Sequence, residues 1–223
     1  MTQLDFSSIT WDLDGRGIES ESFRRIDAET PAELRAKFTG EQWHVARRLI
    51  HTCADFTLPE HLEFSSGAIS AGLDALRAGR GIYSDSNMIK SGLSVPKLQK
   101  FHSSYTRDSI LCPVADPSVA AYAKTHGITR ALAAVLLHRE FLSDCIFLCG
   151  NAPLALAGMV RLIREENIRP ALIVGMPVGF VNVVESKKLL DGIDVPWIRI
   201  SGRRGGSPLA VATIHGIMEN VLS

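Results

Sequence analysis

The sequence predicts an α/β protein: a mainly parallel β-sheet between layers of helices, in a single domain spanning residues 1–223. From residue 60 onward, short apolar runs alternate with longer segments of helical period, the pattern a parallel sheet with crossover helices imposes. Two helix starts are marked by a polar capping residue before proline, Asp116-Pro117 and Ser207-Pro208. No repeat, low-complexity tract or Pro/Gly/Ser linker divides the chain. Its 46% hydrophobic and 22% charged residues match an ordinary globular composition with a real core.

The elements follow in order. Before the alternation begins, EQWHVARRLIHTCADF has helical period. LEFS then reads as a strand leading into the helix-like SGAISAGLDALRAG, and GIYS leads into SNMIKSG. ILCPV precedes DPSVAAYAKTHG and TRALAAVLLHREFL, whose apolar positions recur every three to four residues. DCIFLCG and ALIVGM hold apolar runs of strand length, and WIRIS one broken only by Arg199, as expected of strands in a sheet between helical layers. Each feeds a helical segment: NAPLALAGMVRLIREEN, FVNVVESKKLLDG and SPLAVATIHGIMENV.

Lys plus Arg (24) equals Asp plus Glu (24), so no global field draws the chain to nucleic acid or an anionic membrane. No apolar stretch is long enough to span a bilayer. The four cysteines contain no CxxC pair, and MTQLDFSSITWDLDG does not read as a secretory leader, so a reduced, cytoplasmic setting is expected. Cys145 and Cys149 share a strand face roughly 13 Å apart and cannot bridge each other.

In such sheets ligands sit beyond the carboxyl ends of the strands. Three exits there are rich in glycine and proline: Gly150-Asn151-Ala152-Pro153, Gly175-Met176-Pro177-Val178-Gly179-Phe180 and Gly202-Arg203-Arg204-Gly205-Gly206-Ser207. Ordinary turns use the same residues. The last exit lacks the Lys-Ser/Thr ending of a phosphate loop, and no GxGxxG follows the first strand, so no nucleotide cofactor is expected.

On the helical wheel of EQWHVARRLIHTCADF, Trp43, Ala46, Leu49, Ile50 and Cys53 form an apolar arc opposite His44, Arg47, Arg48, His51 and Asp55. A solvated face of mixed charge accounts for the second set without chemistry. Histidine is also the best single candidate for proton transfer near neutral pH. Asp55, at i+4, is placed to orient the His51 imidazole, whereas Arg47 and Arg48 one turn back oppose its protonation, so the sign of any shift stays open. The remaining histidines show no HxH or HExxH spacing, and no protein-bound metal is expected. No GxSxG elbow supports hydrolase chemistry.

The chain resembles the precorrin-8X methylmutases of corrin biosynthesis. The resemblance rests, in order, on IESESF, RRLIHTCAD, FSSGAISAGLDAL, SDSNMIKSGL, GITRALAA, GNAPLALA, GMPVGFVNVVESKKLL and GRRGGSPLAVATIHGIM. It implies a large, flat tetrapyrrole as substrate and product, carrying carboxylates around its rim. The implied reaction moves a methyl group from carbon 11 to carbon 12, formally a 1,5-sigmatropic shift, without an organic cofactor. His51 matches the family's catalytic histidine and is implied as the proton donor. Ser22 and Arg130 match positions implied to meet substrate carboxylates, a surface helix-start arginine being the competing role of Arg130. Asp85 matches a family aspartate at a strand end and is counted with the substrate-binding residues. Arg203 and Ser207 sit where helix-start amides could bind a substrate anion, with a simple capped turn as the competing explanation. An N-terminal segment of about residues 1–40 is implied to contribute to the pocket. For Asp85 the competing role is a cap of the next helix, and Lys187 and Lys188 read as solvated helix residues. Ser66 and Leu154 depart from family residues and put contacts there in doubt.

The resemblance also implies a homodimer with the pocket near the interface. SDSNMIKSGL and IHTCAD lean toward the members that act on the cobalt-containing ring; any cobalt would then belong to the substrate. A carrier that binds a corrinoid intermediate without chemistry is the rival reading, and a phosphate-binding enzyme built on GRRGGS is a weaker one.

Overall fold

Every apolar run singled out as a strand lies in one six-stranded sheet, in a computed structural model that describes residues 7–9, 11 and 14–222. The strands are β1 (Leu62–Phe64), β2 (Ile82–Ser84), β3 (Ile110–Leu111), β4 (Ile146–Cys149), β5 (Leu172–Gly175) and β6 (Trp197–Ile200). Their order is β1-β6-β5-β4-β2-β3; β1 alone is antiparallel, running along the β6 edge.

The helices are α1 (Gly15–Glu29), α2 (Ala32–Arg35), α3 (Gly40–Cys53), α4 (Ala68–Arg77), α5 (Asn87–Gly92), α6 (Val95–Gln99), α7 (Pro117–His126), α8 (Arg130–Leu137), α9 (Pro153–Glu166), α10 (Val183–Lys188) and α11 (Ser207–Leu222). Their ends follow local chemistry. Thr39 and Gln42 form a capping box at the start of α3, and Ala54 closes it in the left-handed region at φ 51°. Asp116 stands before α7 as the sequence suggested, but its side chain makes no capping bond; Pro117, with φ already fixed, starts the helix.

Strand alternation sorts the core into two layers. Ile146 and Leu148 of β4, with Leu172 and Val174 of β5, face a cluster that includes Leu49 and Ile50 of α3 and Ile214 and Ile217 of α11. Phe147 and Cys149, with Ile173, face the other way, toward Leu156, Met159 and Ile163 of α9 and Val135 of α8. Burying both faces explains why the strands read as continuous apolar runs.

The α3–α11 pair makes the most extensive helix–helix contact among the described residues. A Cβ on Gly216 would lie 2.6 Å from the Val45 Cα and 3.0 Å from the His44 carbonyl oxygen, so only glycine admits this approach. Among the described residues, no helix is long and apolar enough to cross a membrane.

Candidate functional site

The carboxyl ends of the parallel strands are knitted into one rim. The Met176 N–H donates to the Cys149 carbonyl at 2.7 Å, and the Gly206 N–H donates to the Met176 carbonyl at 2.8 Å. A Cβ on Gly205 would stand 2.2 Å from the Met176 carbonyl oxygen, so the glycine there lets one exit loop lie against another. The Ser207 and Ser86 hydroxyls meet at 2.8 Å, joining the start of α11 to the exit of β2.

Asp85 lies beneath this rim, 2% exposed. Its carboxylate accepts from the amides of Gly150 at 3.1 Å, Asn151 at 2.8 Å and Ala152 at 2.6 Å, and from the Cys149 thiol at 3.3 Å. Burial raises its proton affinity and the three amides oppose that rise. Asp85 does not cap α5; Ser86 does, accepting from the Ile89 N–H. The Asp85 oxygens instead order the loop that starts α9.

Lys187 corrects the reading of a solvated helix lysine. It is 1% exposed, and its ammonium donates to the carbonyls of Gly202 at 2.9 Å and Arg204 at 2.6 Å. The sequence held a signal for this: Val183, Ser186, Lys187 and Leu190, spaced as one helical stripe, are all buried. Lys188 is exposed, as expected.

His51 sits in the last full turn of α3 and lines a cleft of about 250 Å³ with Ser22, Arg25, Ile26, Glu29, Ile50, Ala54 and Phe56. The cleft therefore brings Ser22 of α1 to His51, and part of the N-terminal segment to the candidate site. The Ser22 hydroxyl donates to the Ile18 carbonyl at 2.8 Å, which leaves its oxygen able to accept.

The Phe23 ring stands edge-on to His51, with centroids 5.3 Å apart, and the guanidiniums of Arg47 and Arg48 lie 4.3 Å and 4.6 Å from its centroid. Arg48, placed on the polar arc by the sequence, is buried; it pairs with Glu219 of α11 and Glu19 of α1. Burial lowers the proton affinity of His51, Arg48 lowers it further, and Glu19 opposes. Asp55 does not orient the imidazole as its spacing suggested. Its carboxylate accepts from the Thr57 amide at 2.8 Å and hydroxyl at 2.7 Å, and pairs with Arg204 at 3.1 Å. That ion pair ties the end of α3 to the exit loop of β6, so His51 lies at the same end of the sheet as the glycine-rich exits.

A second cleft of about 300 Å³ lies between α3, α5 and α11, lined by Arg48, Thr52, Met88, Pro208, Val211 and His215 among others. Arg203 is exposed at the rim, its guanidinium 5.4 Å over the Phe180 ring, itself 83% exposed. Arg130 is the exception. It opens α8, exposed beside Lys124 and Gly127, in the helical layer across the sheet from α3.

Of the departures, Ser66 is exposed before α4 and Leu154 is half-buried in the first turn of α9. The sequence reading missed α1 with Glu19 and Phe23, and the inward role of Glu219. The i, i+4 spacing of Ile18, Ser22 and Ile26 was the available signal for α1. Among the described residues, no group of three or more His, Cys, Asp or Glu is placed to hold a metal ion.

Comparison with known proteins identifies the family. A sequence profile for precorrin-8X methylmutase matches residues 17–220. A cobalt-precorrin-8 methylmutase from Leptospira interrogans is 39% identical over 212 residues, covering 92% of this chain and 93% of that protein. A precorrin-8X methylmutase from Pseudomonas aeruginosa is 35% identical over 211 residues, covering 92% and 95% respectively. A crystal structure of the Thermus thermophilus precorrin-8X methylmutase superposes with a TM-score of 0.79 at 41% identity, covering 91% of this chain and 96% of that one. The chain belongs to the precorrin-8X methylmutase family, whose members are isomerases that move a methyl group within one molecule.

Proposed function

We propose that this methylmutase acts on precorrin-8X or cobalt-precorrin-8, moving the methyl group from carbon 11 to carbon 12 to give hydrogenobyrinate or cobyrinate, with His51 donating a proton to the macrocycle. The observation that carries the reading is the placement of His51 in a cleft beside Ser22, at the end of the sheet where an exit loop presents Arg203 and Ser207 lies buried at the start of α11. Substrate and product are isomers. One carbon–carbon bond breaks and another forms, and the proton lent by His51 returns when the product conjugation is restored. No oxidant, reductant or organic cofactor enters the balance.

General acid catalysis by a positioned imidazolium is worth ~10²–10⁴-fold. Within the cleft, burial and Arg48 disfavour the charged imidazole. Carboxylates arriving on the ring rim supply the opposite charge that stabilises it. Ser22, Arg203 and Ser207 bind those carboxylates, and Asp85 acts on the site through the loop it holds.

Arg130 enters this reading through a homodimer. It stands across the sheet from His51 in its own chain, so it contributes to a pocket at an interface, reaching the ring bound by the other copy. The free cysteines fit a cytoplasmic setting.

The test is a visible-spectrum time course of purified protein with each substrate, metal-free and cobalt-containing, with mass and NMR analysis of the pigment. Conversion supports the methylmutase, and the relative rates choose between the two rings. A bound but unchanged pigment would instead make the protein a carrier. His51→Ala should lower kcat by ~10²–10⁴-fold with ring binding nearly intact; unchanged turnover removes His51 from the mechanism.

A further inference from the structure

An ammonium group taken out of water is stable only where fixed acceptors replace its hydration. Lys187 has two such acceptors, the Gly202 and Arg204 carbonyls, and both belong to the loop between β6 and α11. The same loop is tied outward by its side chains, Arg203 over Phe180 and Arg204 to Asp55 and Thr57. Between the two bonded carbonyls lies Arg203, so the directions of both arginines are set by a backbone that Lys187 grips from below.

The grip is itself braced. The Arg199 Nη1 donates to the Lys187 backbone carbonyl at 2.7 Å, while its Nη2 pairs with Glu63 at 2.6 Å and Asp191 at 2.8 Å. The charged or titratable neighbours of the ammonium are the Cys149 thiol of β4 and Arg199 of β6. We propose that Lys187 is a positioning residue of the methylmutase site, whose buried ammonium fixes the 202–206 loop and thereby aims Arg203 at the substrate's rim carboxylates. The proposal rests on the reading that this loop borders the ring. Burial, opposed by Cys149 and aided by Arg199, lowers the ammonium to about 8, so its charge is lost within an accessible range of pH.

Two readouts test it, one of which needs no substrate. Lys187→Met keeps the length and removes the donors; hydrogen exchange of the 201–207 peptide should then quicken by ~10-fold or more. Lys187→Gln keeps two N–H donors without the charge and should fall between. In the wild-type protein, protection of the same peptide, corrected for intrinsic exchange, should fall as pH rises through about 8; this arm decides the matter even if neither variant folds. Protection unchanged in a folded variant, or flat across that pH range, overturns the clamp.

The second readout is a double-mutant cycle on KM with Arg203→Ala. Each single change should raise KM by ~10-fold with kcat within about threefold, and the pair should cost little more than either alone, because Lys187 acts through Arg203. Additive effects, or a folded Lys187→Met with unchanged KM, overturn the positioning role. A wild-type protein that converts no tetrapyrrole would fault the functional reading instead, and the exchange experiment would still judge the clamp.

Discussion

Protonating His215 must break a hydrogen bond as well as place a charge in a half-buried site. Its Nε2 accepts the Ser94 N–H at 3.2 Å, and burial, aided by Lys97 and Arg48, lowers its pKa from 6.5 to about 4. The folded state therefore binds this proton more weakly than the unfolded chain. Stability is full above about 6.5 and falls as pH drops toward about 4, by on the order of 3 kcal/mol. Urea denaturation at stepped pH should show that decline, and His215→Gln should flatten it.

Asp85 is a second single-residue case. Asp85→Asn swaps an acceptor for a donor facing amides that already donate, and should cost about 2–4 kcal/mol by the same measurement. Neither role was legible from sequence. Histidine in SPLAVATIHGIM and aspartate in SDSNM carry no mark of the partner, which lies 121 residues away for His215 and 65 to 67 for Asp85. His51 could be singled out as a candidate because its helix showed both faces locally and the motif around it was specific.

At the scale of elements, the strands were legible and some helices were not, for one reason. A strand buried on both faces announces itself as an apolar run, as IFLC and LIVG do. Helix α1, GRGIESESFRRIDAE, is rich in charge and buries little beyond Ile26, so its stripe is faint. Its stability comes from Asp14 capping the Gly17 amide and from packing against α3. The direction of β1 was also out of reach, since a three-residue edge strand reads alike in either sense. Position 216 tests the α3–α11 pair. Gly216→Ala forces a Cβ against the backbone of Val45, so it should destabilise by about 3 kcal/mol in chemical denaturation. It should also disturb the His51 cleft, because α3 is the element displaced, and an unaltered stability would show that the pair has slack the glycine does not reveal.

At the scale of the whole molecule, the proposed function raises a question of reach. A flat ring with carboxylates on every side needs donors around its full rim, yet His51 and Arg130 lie in the two helical layers that sandwich the sheet. Sequence could pair them only through their motifs, because strand order, and with it the side of the sheet each helix covers, is a long-range property. If the ring sits between two copies, each site takes His51 from one chain and Arg130 from the other. His51→Ala and Arg130→Ala homodimers would both be impaired, but a heterodimer would carry one site with both residues and one with neither. Random reassortment makes about half of the dimers mixed, so activity should return to about a quarter of the wild-type value. Mixing the two purified variants under conditions that exchange subunits measures this directly. Recovery would fix Arg130 in the partner's site, whereas activity that merely averages the two parents would confine each site to one chain and overturn the shared arrangement.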